Sequence, residues 1–183
     1  MRITSGEFRG RPLSVPPGDD VRPTQDRVRE ALFSILGDCV RGAVFLDLFA
    51  GSGAVGLEAI SRGAARAVFV EREQRPIAFL SSNIERLKAS SRCEIHRSDV
   101  LAWLSSPVRV GFDIVFADPP YALGDEGVYV DLLRLLADGD RLRPGALFVA
   151  EMTSRRVCEE SPAWELLRDR VYGQSRLAVY RRK

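Results

Sequence analysis

The sequence predicts an α/β fold with a mostly parallel, seven-stranded sheet that ends in an antiparallel hairpin. Three observations carry this prediction. Short apolar runs alternate with segments whose apolar residues recur at helical spacing, as in repeated strand–helix units. The first apolar run ends in closely spaced glycines. The C-terminal segment 164–182 contains two strand-like runs joined near Tyr172-Gly173-Gln174.

Composition places limits on the class of protein. A chain of 183 residues that is 45% hydrophobic can bury the core of one domain with a small appendage. The net charge of +2 gives only weak support to a nucleic-acid partner. Three scattered cysteines without a C-x-x-C pair argue against disulfides and zinc, so no metal is expected. The chain has no signal-peptide core at its start and no apolar run of membrane-spanning length, so we expect a cytoplasmic protein with no membrane contact.

Residues 1–22 form the predicted appendage, and residues 23–183 form the main domain. The appendage alternates loosely between apolar and polar residues, which favours a short β-hairpin arm. Its arginines are countered only by Glu7 within the first eleven residues, so the arm is a candidate for holding RNA phosphates: Arg2, Arg9 and Arg11. The alternative is a solvated arm that merely packs on the domain.

Strand and helix patterns alternate along the main domain. Thr24 is a candidate N-cap for a first helix whose apolar stripe continues to Leu36. The strands that follow are predicted at 43–49, 67–71, 93–97, 112–117 and 145–151, and the helices between them at 54–62, 76–90, 101–104 and 128–136.

The first predicted strand ends in Gly51-x-Gly53-x-x-Gly56. Glycines allow a tight turn and close approach of a ligand, and the following helix N-terminus offers free N–H groups. Asp47 lies inside this strand, where a carboxylate suits a ligand with an ammonium group better than a pyrophosphate. The pattern favours S-adenosylmethionine (SAM). Another nucleotide, or an ordinary turn with a buried, hydrogen-bonded Asp47, remains open.

Two further carboxylates follow neighbouring strands. Glu71 ends the second strand, where an acidic residue suits ribose hydroxyls; otherwise it is a generic surface carboxylate. Asp99 follows the third strand and is a candidate acceptor for an adenine amino group, an N-cap for the next helix, or both.

Asp118-Pro119-Pro120-Tyr121 follows the fourth strand. An exocyclic amine is a poor nucleophile because its lone pair is conjugated with the ring. Asp118 and the Pro119 carbonyl can each accept one N–H and so aim the lone pair at a methyl donor, while two prolines stiffen the loop. Tyr121 offers a face on which an extruded base can stack. The alternative is a rigid turn at a strand end.

Taken together, R-P-T-Q-D-R-V-R-E-A-L-F-S-I-L, F-L-D-L-F-A-G-S-G-A-V-G-L-E-A and D-P-P-Y resemble the RsmD-type methyltransferases of bacterial small-subunit ribosomal RNA. The resemblance covers nearly the whole chain. It implies a Rossmann-like class I SAM-dependent fold and methyl transfer to N2 of a guanine in 16S rRNA, the one numbered 966. The expected substrate is the assembled or assembling 30S subunit.

The resemblance also implies roles for single residues. It implies SAM binding by Thr24, Asp47, Phe49, Ala50, Gly51, Ser52, Gly53, Glu71, Arg72, Asp99 and Val100. It implies catalysis by Asp118, Pro119 and Tyr121. The candidate substrate-contacting residues are Arg22 and Tyr121 from the resemblance, Pro120 beside them, and Arg2, Arg9 and Arg11 from the charge of the arm; residues 123–127 are a candidate substrate loop.

Other functions fit the sequence less well. A non-catalytic assembly factor that binds SAM or RNA is disfavoured by the intact Asp118 and Tyr121. A DNA adenine methyltransferase usually needs a separate recognition domain, and a glutamine methyltransferase would favour Asn at position 118. Asp47 and the terminal hairpin disfavour a dehydrogenase. We expect a monomer.

Overall fold

The computed structural model describes residues 1–17, 26–107, 111–120 and 127–183. Its helices are α1 (Asp26–Leu36), α2 (Ala54–Ser61), α3 (Gln74–Leu87), α4 (Val100–Ser105) and α5 (Val128–Asp138). Its strands are β1 (Val44–Leu48), β2 (Arg66–Glu71), β3 (Cys93–Arg97), β4 (Phe112–Ala117), β5 (Leu142–Thr153), β6 (Trp164–Tyr172) and β7 (Ser175–Arg182).

The described strands form one sheet in the order β3-β2-β1-β4-β5-β7-β6. Strands β1 to β5 run parallel, while β7 pairs antiparallel with both β5 and β6. The predicted fold class is therefore confirmed, including the C-terminal hairpin. Because β1 to β5 are parallel, their carboxyl ends meet at one edge of the sheet, which we call the carboxyl edge.

Each face of the sheet is covered by a separate layer. On one face, apolar side chains of α1, α2 and α3 pack over alternate strand residues such as Phe45, Phe69 and Phe116. On the other face, α4 and α5 pack over the intervening residues, including Leu46, Val115 and Phe148. Burial on both faces explains why the central strands are nearly continuous apolar runs.

The N-terminal segment (residues 1–17) packs in the layer formed by α1, α2 and α3. It folds back on itself through one antiparallel bridge between Arg2 and Pro12, rather than through two full strands. Ile3, Phe8 and Leu13 are buried in the same cluster as α1, α2 and α3. The segment is thus built into the core of the main domain along the part that the structure describes, and the predicted boundary at residue 22 lies outside the described residues.

A buried carboxylate holds this segment in place. Glu58, in the middle of α2, has no solvent-exposed side-chain area. It accepts hydrogen bonds from Thr4 N and Thr4 Oγ1 at 2.8 Å each and from Ser5 N at 3.0 Å. Arg62 Nε donates to it at 2.8 Å, and Arg29 Nε lies 3.4 Å away. Several partners therefore compensate for the burial of this charge.

Some element ends differ from the prediction. Helix α3 stops at Leu87 instead of residue 90, because Lys88 adopts a left-handed conformation and its N–H bonds back to the Glu85 carbonyl. Strand β5 begins at Leu142 rather than 145, with a register shift opposite β4 that accommodates Pro144 and Gly145. The predicted cap Thr24 lies outside the described residues.

Across the described ranges, none of the helices combines the length and apolar character needed to span a membrane.

Replacing Glu58 by Gln is expected to lower the free energy of unfolding by about 3 kcal/mol, because an amide nitrogen would then face the donors of Thr4 and Ser5. Urea denaturation measures the difference. The matched control is Glu85→Gln on the exposed face of α3, which is expected to change stability by less than about 0.5 kcal/mol. Equal effects of the two substitutions would contradict the role assigned to Glu58.

Candidate active site

Four predicted site segments meet at the carboxyl edge. The segment with Gly51, Gly53 and Gly56, which we call the glycine turn, follows β1. Glu71 ends β2, Asp99 follows β3 and Asp118 follows β4. Because β2, β1 and β4 are adjacent in the sheet, the glycine turn lies between Glu71 and Asp118. The sequence placed these groups at strand ends, and the parallel pairing brings the strand ends together.

The glycine turn has an unusual backbone. Gly51 and Gly53 have positive φ angles of 55° and 82°, and Phe49, which is not glycine, has a φ of 59°. A side chain at Gly53 would also meet Leu80 Cδ1 at 2.3 Å. A bulky residue held in the left-handed region is strained, and such strain is concentrated at functional sites.

Two carboxylates hold this turn against the sheet. Glu71 Oε2 accepts a hydrogen bond from Gly51 N at 2.9 Å, and its Oε1 accepts one from Glu73 N at 2.9 Å. Asp47 lies beneath the turn, and its Oδ2 accepts a hydrogen bond from Gly56 N at 2.8 Å. Asp47 is therefore buried and hydrogen-bonded to the backbone, as in the alternative that the sequence left open.

Burial also changes the protonation of Asp47. The side chain is 2% exposed. Burial raises its pKa to about 8, the hydrogen bond from Gly56 opposes this, and the negative charge of Glu71 adds to it. A carboxyl with this pKa is largely neutral at pH 7.

A third side chain ties the turn to the N-terminal segment. Asn83 of α3 is 1% exposed. Its Nδ2 donates to the Ser52 carbonyl at 3.1 Å and to the Ser14 carbonyl at 2.9 Å, while its Oδ1 accepts from Ser14 N at 2.8 Å. Sequence reasoning missed Asn83. Its only signal is a polar residue beside the apolar stripe of Leu80, Ile84 and Leu87.

The other predicted cofactor residues that the structure describes lie along the same edge. Asp99 is exposed and caps α4, since its Oδ1 accepts from Ala102 N at 3.0 Å, so the predicted N-cap is confirmed. Val100 is buried next to it. Arg72 is exposed and pairs with Glu73 at 2.9 Å. Ala50 is buried, and its carbonyl closes the turn by accepting from Gly53 N at 2.8 Å.

The Asp-Pro-Pro segment begins one residue beyond the last β1–β4 pair, Leu48 and Ala117. Neighbouring strands are about 4.8 Å apart. Asp118 is half-buried, Pro119 is buried and Pro120 is exposed. Asp118 thus lies one strand away from the glycine turn. The predicted site residues Arg22, Thr24 and Tyr121 lie outside the described residues, as do positions 123–126 of the candidate loop.

The predicted RNA-contacting arginines of the N-terminal segment are exposed. Arg2, Arg9 and Arg11 are all on the surface, and Arg11 Nη1 donates to the Arg86 carbonyl at 3.4 Å.

Within the described ranges, no group of three or more His, Cys, Asp or Glu side chains is arranged to hold a metal ion.

The fold and the residues at its carboxyl edge define the class of protein. A seven-stranded sheet with a reversed C-terminal strand, a glycine turn after β1 and carboxylates after β2 and β3 form a Rossmann-like fold of SAM-dependent methyltransferases. A family model described as "Conserved hypothetical protein 95" matches residues 1–181. The chain belongs to this family, and the resemblance to RsmD-type methyltransferases is confirmed.

Named relatives and solved structures agree with this assignment. Ribosomal RNA small subunit methyltransferase D of Escherichia coli K12 is 38% identical over 184 aligned positions, covering 100% of this chain and 90% of that protein. The structure of the Escherichia coli protein yhhF matches with a TM-score of 0.89 and 36% identity over 100% of this chain and 98% of that one. A Salinibacter ruber RNA methyltransferase, solved with S-adenosyl-L-homocysteine, matches in fold with a TM-score of 0.67 and 17% identity, over 87% of this chain and 93% of that one.

Replacing Asn83 by Ala is expected to weaken S-adenosylhomocysteine binding roughly tenfold, because the Ser52 carbonyl loses its donor and the turn loses its support. Isothermal titration calorimetry measures the affinity. Ser61→Ala is the matched control. Ser61 Oγ bonds to the N-terminal segment at Phe8 N and the Ser5 carbonyl, but does not bond to the glycine turn. The two variants should lose similar stability, but only Asn83→Ala should lose affinity, and equal losses of affinity would refute the positioning role.

Replacing Asp47 by Asn is expected to change how stability depends on pH. The native pKa of about 8 lies above the ordinary value of 3.8, so the folded state binds the proton more tightly. Unfolding free energy of the parent protein should therefore fall as pH rises between about 4 and about 8, by at most about 1.4 kcal/mol per pH unit from this group. The Asp47→Asn variant lacks this loss, so its stability relative to the parent should rise with pH in urea denaturation. Parallel pH profiles would contradict the raised pKa.

Proposed function

We propose that this protein transfers a methyl group from SAM to the exocyclic N2 amine of a guanine in 16S rRNA, by family resemblance the guanine numbered 966. The substrate is the assembled or assembling 30S subunit in the cytoplasm, and the enzyme acts as a monomer. The observation that carries the proposal is the position of Asp118, Pro119 and Pro120. This segment begins one strand away from the glycine turn, at the same edge of the sheet.

The residues at this edge fit SAM. Glu71 is half-buried at the end of β2, where its carboxylate can accept from ribose hydroxyls. Asp99 is exposed at the end of β3, where it can accept from the adenine amino group. Asp47 lies beneath the turn, and a nearby ammonium would favour its ionised form against the effect of burial. The predicted contacts of Thr24, Phe49, Ser52, Arg72 and Val100 belong to the same proposal.

The chemistry at the target amine follows from Asp118 and Pro119. When bound, SAM would supply a methyl group on a positively charged sulfur, which an amine lone pair can attack with cleavage of the carbon–sulfur bond and release of S-adenosyl-L-homocysteine. Asp118 and the Pro119 carbonyl each accept one N–H of the guanine N2 amine, which draws its lone pair out of conjugation and directs it toward the methyl group. The Asp118 carboxylate then takes up the proton that the methylated nitrogen must lose.

The rest of the proposal concerns the RNA. In this proposal Tyr121 stacks on the extruded guanine, and Arg22 and Pro120 contact the same substrate. The exposed Arg2, Arg9 and Arg11 hold rRNA phosphates. The support for this substrate is the similarity to the Escherichia coli relative, a small-subunit ribosomal RNA methyltransferase at 38% identity.

Labelled SAM, offered with undermethylated 30S subunits and in parallel with free 16S rRNA and DNA, tests the substrate. Nucleoside analysis should find N2-methylguanosine in the RNA of the 30S subunits. Label on DNA adenine would discard the RNA substrate. Absence of label despite measured SAM binding would favour a non-catalytic assembly factor.

Replacing Asp118 by Ala is expected to reduce kcat by roughly 10²- to 10³-fold, because the amine loses its acceptor and its proton sink. The affinity for S-adenosylhomocysteine should stay within about threefold, since Asp118 lies on the substrate side. Asp118→Asn keeps an acceptor oxygen and should retain more activity than Asp118→Ala. Single-turnover kinetics and calorimetry measure the two quantities, and equal loss of both would remove Asp118 from its assigned role.

A further inference from the structure

Strand β6 lies at one edge of the sheet and carries a row of long side chains on one face. Arg168, Arg170 and Tyr172 pair with Val179, Leu177 and Ser175 of β7. Val179 and Leu177 belong to the core cluster under α1, and Tyr172 packs against that cluster. The three β6 side chains therefore lie on the α1 face, and we call them the β6 ladder.

The register of the sheet connects this ladder to Asp118. Ala117 of β4 pairs with Ala150 of β5, so the next row contains Asp118 and Glu151. Glu151 pairs with Leu177 of β7, and Leu177 pairs with Arg170 of β6. Arg170 is therefore in the same row as Asp118, three strand spacings or about 14 Å away. Tyr172 lies nearer the carboxyl edge, and Arg168 lies further from it.

The two ladder arginines differ from their neighbours in their partners. Arg176 pairs with Asp169 at 2.6 Å, and Arg181 pairs with Glu165 at 2.6 Å. Arg168 and Arg170 are exposed, and across the described part of the chain no carboxylate is within ion-pair distance of either. Their Nη1 atoms donate to the preceding carbonyls, Leu167 O at 2.8 Å and Asp169 O at 2.9 Å.

We propose that the β6 ladder binds the phosphates of the rRNA strand beside the target guanine. This inference rests on the proposed function and adds a second contact surface, on the opposite side of the site from the N-terminal segment. Arginine presents a fork of donors that suits phosphate, and residues two apart on a strand repeat every 6.6 Å or so along one direction. Tyr172 adds a surface for a flanking base.

Edge strands also carry charges for a different reason, because exposed charges prevent pairing with the edge of another sheet. This alternative predicts a different result when the arginines are removed. Loss of edge protection promotes self-association and leaves RNA affinity unchanged, whereas loss of phosphate contacts lowers RNA affinity and its dependence on salt.

The test uses the double variant Arg168→Gln/Arg170→Gln. Its affinity for undermethylated 30S subunits is measured across a series of salt concentrations, together with S-adenosylhomocysteine affinity and sedimentation. The matched control is Arg41→Gln/Arg134→Gln, which removes two exposed arginines located before β1 and on α5, away from the ladder.

We expect the ladder variant to bind roughly tenfold more weakly, with the slope of log affinity against log salt reduced by about 1.5, while the control keeps the parent values. S-adenosylhomocysteine affinity should be the same in all three proteins. Parent-like affinity and slope in the ladder variant would overturn the inference, as would self-association as its only defect. Failure of the parent protein itself to bind or methylate 30S subunits would instead refute the proposed function.

Discussion

The glycine turn after β1 is the constraint on which the site depends. Its strained backbone is held at three points: Glu71 accepts from Gly51, Asp47 accepts from Gly56, and Asn83 donates to Ser52. Each contact satisfies a backbone group that the turn would otherwise leave without a partner in the fold. These contacts come from β2, β1 and α3, so the turn is fixed relative to the sheet and to the helix layer at once.

The N-terminal segment is part of the same construction. Glu58 binds its Thr4 and Ser5, and Asn83 binds its Ser14, so the segment is hydrogen-bonded to the helix that follows the turn and to the residue that supports it. The segment that carries the arginines predicted to contact RNA is therefore connected to the glycine turn, directly through the Asn83 amide and indirectly through Glu58 of α2. Under the proposed function, substrate and cofactor share this structural support.

Much of the fold and the location of the site could be predicted from sequence. Strands 93–97 and 112–117 were placed to the residue, because turn or polar residues bound short runs with strand character. Parallel strand ends share an edge, so Glu71, Asp99 and Asp118 could be grouped. The contacts of Glu58 and Asn83 with the N-terminal segment and the glycine turn could not be predicted, because hydrogen bonds between residues 31 to 69 positions apart leave no periodic pattern. For Asp47 the sequence left two readings open, because a carboxylate bonded to a backbone N–H and one that binds a ligand leave the same pattern; the structure shows the hydrogen bond from Gly56.

The central claim is that the glycine turn and the Asp118–Pro119 segment form one site for donor and acceptor. A crystal structure with S-adenosylhomocysteine tests it most directly. We expect the ribose hydroxyls to bond to Glu71 and the sulfur to face Asp118 and Pro119 across a gap that fits the target amine. A ligand bound elsewhere, or with its sulfur turned away from β4, would show that these segments do not form one site.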